Sequence, residues 1–314
     1  MFSWSILLVA SRIILLTFDL DPWLFTFIQM MAGGLFLILM TGQIQALGLR
    51  LRDRWVWIYG ILRVMTAAFF TAALIHTSAA NAAFLAILSV PTSVLLVWAF
   101  LRRRPSPWEL PGHILVLLGL VLIAGVIEGG WRNPAIALMI LSELCVVCST
   151  LIAELHPQNQ SEDMRQRAGL TGLMLLASAF VMLVVAGSLT ALALAVPSVT
   201  NILPVQIAWV HDPLILLDPA LWGTAVLMGV ALRGPSMFLA LGAIYRVGTT
   251  NYLAALAALP LVSMLLEALA IRLNVLAPTA IWSSVTLFGC IMVVGSLLVI
   301  WSRARHSIYE RILS

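Results

Sequence analysis

Long apolar runs constrain this sequence more than any other feature. Ten runs of about 17 to 25 residues, each bounded by charge or by proline and glycine, are long enough to cross a bilayer as helices. They lie near residues 2–18, 23–42, 55–76, 79–101, 108–127, 134–154, 168–192, 222–244, 249–271 and 279–302. With 62% hydrophobic and 10% charged residues, the chain cannot cover a water-facing surface. The sequence therefore predicts an all-α polytopic membrane protein with ten transmembrane helices.

The arginines predict the orientation. All 17 basic residues are arginine, and basic residues that flank spans favour the cytoplasmic side. If both termini lie inside, most arginines fall in inner loops and tails, whereas the outer loops hold only Arg132 and Arg272. We therefore expect a multi-pass protein of the bacterial inner (plasma) membrane with both termini cytoplasmic. No cleavable signal peptide is expected, because no basic region precedes the first apolar run.

Several residues recur at a constant distance, which indicates an internal repeat. An arginine precedes an asparagine by 18 residues at Arg63 and Asn81, and again at Arg233 and Asn251. The segment "GLVLIAG" (119–125) recurs as "GCIMVVG" (289–295), and all these pairs are offset by 170 residues. Five spans separate the copies, and an odd number reverses the direction of the second copy. The prediction is two inverted five-helix repeats, residues 1–130 and 131–314, within one domain.

Four segments resemble the EamA-like family of the drug/metabolite transporter (DMT) superfamily. Residues 73–125 resemble the signature of its third to fifth helices, and residues 231–298 resemble the same signature in its second copy. "WSILLVASR" (4–12) is similar to its first-helix pattern, and "DPWLFTFIQMMAGG" (21–34) to the start of its second helix. The resemblance implies a ten-helix basket of two inverted repeats that moves small metabolites, often outward, by alternating access.

The chain also departs from the family pattern. Gln29 stands where the family usually has arginine in the second helix. Arg102–Arg104 and Leu273 replace acidic residues that are common after the fourth and ninth helices, and Leu259 replaces a glutamate. These departures concern the subfamily and the coupling mechanism rather than the fold.

Away from the first and last two residues of each predicted span, five charged residues fall inside the spans: Arg12, Arg63, Glu143, Arg233 and Glu267. Each costs about 2.5 to 3.5 kcal/mol at a helix centre unless it is compensated. In one interpretation Glu143 clamps an arginine, while Glu267 meets Arg272 or lipid headgroups. In the other, Arg63 and Arg233 face a water-filled cavity near the midplane and hold a carboxylate or phosphate. The two are compatible, and Glu143 is then a candidate for proton coupling or for contacting an amine.

The repeated asparagines have two interpretations. Asn81 and Asn251 stand near the first turns of predicted helices four and nine, where side-chain oxygens satisfy free backbone N–H groups. Alternatively, both line the cavity and bind substrate, with Tyr252 beside them. Pro91 and Pro260 are predicted to kink these helices, either as hinges or as packing features. The candidate substrate-binding residues are thus Arg12, Arg63, Asn81, Glu143, Arg233, Asn251 and Tyr252.

These features favour a transporter over an enzyme. The sequence has no HExxH motif, nucleophile elbow or P-loop, so no catalytic residue, cofactor, metal or ATP-driven step is expected. Cys145, Cys148 and Cys290 lie in apolar runs and are predicted to be small core residues. The expected partners are a small-molecule substrate, membrane lipids and, as one hypothesis, protons, with no nucleic acid. The leading hypothesis is an exporter of an amino acid or other carboxylate; the alternative is a multidrug or quaternary-ammonium exporter.

Overall fold

The computed structural model describes residues 2–42, 52–74, 76–77, 79–127, 129–195, 213–276 and 284–313. Within these ranges the chain is helical and contains no strand, which confirms the predicted all-α class. The helices are α1 (Phe2–Phe18), α2 (Pro22–Thr41), α3 (Arg54–Leu74), α4 (Ala79–Leu85), α5 (Ser89–Leu101), α6 (Leu110–Val126), α7 (Pro134–Leu155), α8 (Met164–Ala195), α9 (Pro219–Met228), α10 (Gly234–Leu256), α11 (Leu259–Arg272) and α12 (Ser284–Leu313).

Eight helical stretches among the described residues are long and apolar enough to cross a membrane. The helix α1 is also apolar but has only 17 residues. The helical stretch Pro219–Leu256, which contains α9 and α10, runs across the division between the predicted spans 222–244 and 249–271, and the non-helical Gly248 lies at that division. The remaining part of the predicted ninth span is the 14-residue helix α11. The count of ten transmembrane helices and the inverted repeat stay predictions. Most of the loop predicted between residues 197 and 219 lies outside the described residues.

Both prolines predicted to kink helices stand just after a break. A single 3₁₀ turn, Ala86–Leu88, separates α4 from α5, and Pro91 is the third residue of α5. The helix α10 ends at Leu256, and Pro260 is the second residue of α11. Proline has no N–H and its ring crowds the carbonyl four residues earlier, so a regular α-helix does not continue through it. The predicted irregularity is present at both sites, whereas movement about them stays a prediction.

A second irregularity interrupts α10 at Gly248. Its φ of 77° and ψ of 162° are non-helical, although helical residues continue on both sides. This backbone conformation is essentially restricted to glycine, because any β-carbon would collide with the backbone. The residues between Gly248 and the end of α10 therefore form a short helical segment of their own.

The chain divides into two compact units, each of which uses segments from both predicted halves. Unit 1 comprises Met1–Ser5, Met65–Leu151 and Arg246–Ser314. Unit 2 comprises Ile6–Val64 and Ile152–Tyr245. The predicted boundary near residue 130 separates sequence repeats rather than compact units, and it stays a prediction.

In unit 1, α6 packs closely against α12. A β-carbon added to Gly295 would lie 2.7 Å from the carbonyl oxygen of Gly112, so the two backbones touch where both residues lack side chains. The adjoining core contains the fully buried Phe84, Ile123 and Met292. Small residues permit this close approach, which drives helix association where lipid offers no hydrophobic advantage.

In unit 2, α2 makes the equivalent kind of contact with two neighbours. A β-carbon on Gly34 would lie 2.9 Å from the carbonyl oxygen of Gly172 in α8. One on Gly33 would lie 2.7 Å from the carbonyl oxygen of Gly229, which follows α9. The start of α2 is fixed by Asp21, whose Oδ1 accepts a 2.8 Å hydrogen bond from the N–H of Leu24.

Candidate functional site

A π-helical segment presents Arg233 in unit 2. Gly229–Arg233 forms one π turn between α9 and α10, and the N–H of Gly234 bonds to the carbonyl of Gly229. Pro235 follows directly and has no N–H for the normal helical bond. Single π turns inside α-helices are frequent at functional sites. The turn changes the direction in which Arg233 leaves the helix.

Arg63 and Tyr59 lie near Arg233. Arg233 and Arg63 are close enough to repel each other electrostatically, and Tyr59 interacts with both guanidinium groups. Tyr59 precedes Arg63 by one helical turn of α3, which places both side chains on one face. The Tyr59 side chain is buried, with only 4% of its surface exposed, and its hydroxyl donates to Sδ of Met237 at 3.8 Å. The structure thus brings the two predicted arginines together and adds a tyrosine to them.

The side of α2 that packs against the π segment contributes Gln29. This buried side chain donates from Nε2 to Oγ of Ser11 at 3.2 Å. Its backbone also lines the π segment, because a β-carbon on Gly229 would lie 2.6 Å from the Gln29 carbonyl oxygen. The departure from the family pattern at position 29 therefore lies beside the segment that carries Arg233, where a neutral amide adds no further positive charge.

Two like charges in a membrane-spanning unit repel each other, so an anion between them would relieve the repulsion. Guanidinium groups are suited to this role because each offers several N–H donors in a plane that matches a carboxylate or a phosphate. A tyrosine hydroxyl supplies one further donor. The chemistry that this group of residues supports is anion binding. We call Tyr59, Arg63 and Arg233 the paired-arginine site.

Arg12 and Glu143 are the other charged residues predicted to bind substrate. Arg12 is on α1 in unit 2, next to Ser11, which bonds Gln29. Glu143 is a buried residue of α7 in unit 1, and the predicted ion pair between it and an arginine stays a prediction. Its neighbour Ser142 donates from Oγ to the carbonyl of Thr66 at 3.1 Å.

Asn81 and Asn251 differ in their partners. Asn81 donates from Nδ2 to Oγ1 of Thr77 at 2.8 Å, at the start of α4, and capping of backbone N–H groups by its side-chain oxygen stays a prediction. Asn251 donates from Nδ2 to the carbonyl of Val247 at 2.9 Å, and its Oδ1 accepts from Arg303 at 2.9 Å. Tyr252 packs against an apolar cluster that includes Leu253. Substrate binding by these residues stays a prediction.

The partner of Asn251 belongs to a charged network in unit 1. Arg303 of α12 forms an ion pair with Glu109, which precedes α6. Nε2 of His113 lies 3.7 Å from the same carboxylate oxygen, and the N–H of Ser106 donates to the other at 3.3 Å. The Glu109 side chain is only 6% exposed and that of Arg303 is 18% exposed, so the ion pair is largely withdrawn from solvent.

Tyr59 and Glu109 were not predicted as site residues, although each stands at an informative spacing in the sequence. Tyr59 stands four residues before Arg63, the spacing of neighbours on a helix face. Glu109 stands three residues after Ser106, the capping-box spacing that marks a helix start. The dipeptide Gly234–Pro235 likewise marks a helix irregularity beside the π segment. Nothing in the sequence indicates that Arg303 is the partner of Glu109, because 194 residues separate them.

Comparison with known proteins supports the resemblance. The model of the EamA-like transporter family matches residues 1–125. One solved structure, described only as "Crystal structure of protein", is similar over 95% of this chain and 95% of its own, with a TM-score of 0.56 and 20% sequence identity. At that identity the likeness shows the fold alone. No curated protein matches the chain.

Proposed function

We propose that the chain is a multi-pass transporter of the EamA-like, drug/metabolite type and that it exports a small anionic metabolite; the family match over residues 1–125 and the apolar helices support this proposal. The substrate class is an amino acid or another carboxylate. Transport is secondary and proceeds by alternating access, with the chain in the bacterial inner membrane and both termini in the cytoplasm. Similarity to a transporter family supports a role in transport rather than catalysis.

One observation carries the proposal: Arg63 and Arg233 interact electrostatically within unit 2, beside the buried Tyr59. Arginines near the centre of a membrane are costly, and those that persist there generally serve a pathway, a partner or a ligand. A carboxylate between the two guanidinium groups would offset their repulsion and use their planar donors. A lipophilic cation would gain nothing from them, which disfavours the multidrug alternative.

The helix contacts support duplicated halves. The second and seventh predicted spans correspond to α2 and α8, which touch at Gly34 and Gly172 in unit 2. The fifth and tenth correspond to α6 and α12, which touch at Gly112 and Gly295 in unit 1. Contacts between helices at equivalent positions in two repeats are what a two-fold pseudo-symmetry axis produces.

Coupling is assigned to Glu143 in this proposal. The residue is a buried acid in a membrane-spanning helix, and intramembrane carboxyl groups serve proton relays in transporters. Protons supply the driving force in this scheme, and replacement of Glu143 by glutamine would leave ligand binding to the paired-arginine site intact.

A ligand screen tests the proposal. Purified protein is heated with amino acids, organic acids, phosphorylated metabolites and lipophilic cations, and the midpoint of thermal unfolding is recorded. A ligand at about 100 times its Kd adds roughly 2.7 kcal/mol to the apparent stability, which is readily detected. We expect a carboxylate to stabilise the protein, and Arg63→Gln and Arg233→Gln each to abolish the shift.

Arg305→Gln is the matched control. Arg305 is an exposed arginine whose guanidinium lies 5.1 Å from the centroid of the Trp301 ring, so it shares the charge but not the site. Its replacement should leave the ligand-induced shift unchanged. Stabilisation by cations alone, or normal carboxylate binding by both Gln variants, would reject the proposal and favour the multidrug alternative.

A further inference from the structure

The end of α10 is a helical segment with a break on each side. We call Thr249–Leu256 the hinged segment. It begins after the non-helical Gly248 and ends where α10 stops, three residues before the start of α11. A glycine in a conformation open only to glycine and an interruption before a proline are both places where the chain direction can change without unfolding the helix between them.

The hinged segment packs through one fully buried leucine and two partly buried side chains, Tyr252 and Leu256. Its buried positions include Thr249, Leu253 and Ala254, of which only leucine has a large apolar side chain. Leu253 packs with Val97, Val147 and Leu151 in a small cluster. Alanine buries little area, so apolar packing holds this segment less firmly than it would hold a leucine-rich helix.

A polar link fastens the first turn of the segment. Arg303 donates from Nη1 to Oδ1 of Asn251 at 2.9 Å and pairs through Nη2 with Glu109. The single guanidinium therefore joins three elements of unit 1: the hinged segment, α12 and the turn that begins α6. Both charged partners are largely buried. Removing one would leave the other poorly solvated, so we expect the ion pair to be either formed or fully broken.

The surroundings of Glu109 make this link specific. Within the described residues, the titratable and charged groups that face its carboxylate are His113, on α6, and Arg303, on α12. The N–H of Ser106 fixes the remaining oxygen. Glu109 is therefore held in one position by several contacts, and Arg303 connects it to the hinged segment.

We propose that Arg303 and Glu109 form a latch that holds the hinged segment closed through Asn251. When the latch opens, the segment turns about Gly248 and about the break before Pro260, and Asn251 and Tyr252 become free to contact other groups. Arg303 is thus a positioning residue for Asn251. The movement serves transport if the proposed function holds, whereas the latch itself is a property of unit 1 that is tested without any ligand.

Thiol labelling measures the opening directly. Cys145, Cys148 and Cys290 are first replaced by alanine, and Thr249→Cys then places one thiol at a position that is 1% exposed. The rate of its reaction with a maleimide reports how often the segment opens. We expect Arg303→Met and Glu109→Gln each to raise this rate about tenfold or more, which corresponds to about 1.4 kcal/mol of lost closure. The double variant should match the faster single variant rather than multiply the two effects.

Ser296→Cys is the matched control thiol. Ser296 is fully buried in α12, outside the hinged segment, and its hydroxyl donates to the carbonyl of Met292 within the same helix. Its labelling rate should not change in the latch variants. An equal increase at both thiols would mean general loosening of the fold and would overturn the proposal, as would an unchanged rate at Thr249→Cys.

Asn251→Ala keeps the test decisive if a charge variant fails to fold. This change removes the contact with the hinged segment and leaves the ion pair between Arg303 and Glu109 in place. The latch predicts the same rise in labelling of Thr249→Cys as Arg303→Met gives. Slow labelling in a folded Asn251→Ala protein would show that Arg303 does not hold the segment.

Discussion

At the scale of single residues, the hydroxyl of Tyr59 is a buried hydrogen-bond donor that could exchange a weak acceptor for a stronger one. Its hydroxyl faces Sδ of Met237 at 3.8 Å, and a thioether is a weak acceptor. A carboxylate at the paired-arginine site would accept a stronger bond, worth about 1.5 to 3 kcal/mol. Tyr59→Phe should therefore weaken carboxylate binding roughly 10- to 150-fold while changing the unfolding midpoint of the ligand-free protein little. Isothermal titration with the ligand found in the screen measures the affinity.

Tyr245→Phe controls for that measurement. The Tyr245 ring faces the guanidinium of Arg167 at 5.4 Å in the same unit, and the substitution keeps the ring that makes this contact. Carboxylate affinity should stay within about twofold of wild type, since less than 0.5 kcal/mol is at stake at a position away from the site. Equal losses in both tyrosine variants would contradict the role assigned to Tyr59.

The sequence predicts single residues unevenly. Arg63 and Arg233 stand out because an intramembrane charge is conspicuous in any apolar run. Tyr59 does not, because a tyrosine in such a run is usual and only its position one turn before Arg63 is informative. The network of Asn251, Arg303 and Glu109 could not be predicted, because hydrophobic patterning identifies spans but not which polar residues of distant spans meet.

At the scale of helices, α2 and the π segment pack so closely that a side chain larger than that of glycine would clash between them. A β-carbon on Gly229 would lie 2.6 Å from the Gln29 carbonyl oxygen and 2.9 Å from Cβ of Ala32. Gly229→Ala should therefore destabilise the protein by about 1 to 3 kcal/mol through overpacking. The same displacement should move Arg233, so carboxylate binding should fall as well. Chemical denaturation and titration in detergent measure the two effects.

Gly223→Ala provides the comparison in the neighbouring helix. A β-carbon there would meet no atom within 4 Å, and the residue lies in the interior of α9. Alanine in a helix interior is favoured over glycine by about 0.5 to 1 kcal/mol, so this variant should be as stable as wild type or more so. If Gly223→Ala and Gly229→Ala lose the same stability, close backbone contact is not the cause.

Helices illustrate what hydropathy can and cannot predict. Apolar length locates most spans correctly, because the bilayer imposes it on each span separately. The division predicted between the eighth and ninth spans falls at Gly248, the non-helical residue inside α10, although helical residues continue on both sides of it. Pro91 and Pro260 identify two breaks because the loss of an N–H is a local property.

At the scale of the whole molecule, the arginine distribution makes a prediction about orientation. Fusions to green fluorescent protein, which fluoresces in the cytoplasm, and to alkaline phosphatase, which is active outside it, test the orientation in bacterial cells. Fusions at either terminus should fluoresce and lack phosphatase activity. A fusion in the loop that carries Arg132 should do the opposite. Phosphatase activity at one terminus only would exclude an even number of spans.

The two units have a consequence for synthesis. Unit 2 ends its last segment at Tyr245, whereas unit 1 still needs residues 246–314. The glycine-lined surface of α6 therefore leaves the ribosome long before α12, its partner at Gly295. At about 5 to 20 residues per second, the delay between the two helices is roughly ten to thirty seconds. During that interval lipid or a membrane chaperone must cover the glycine-lined surface of α6. In a chain that stops after α10, α12 never covers this surface.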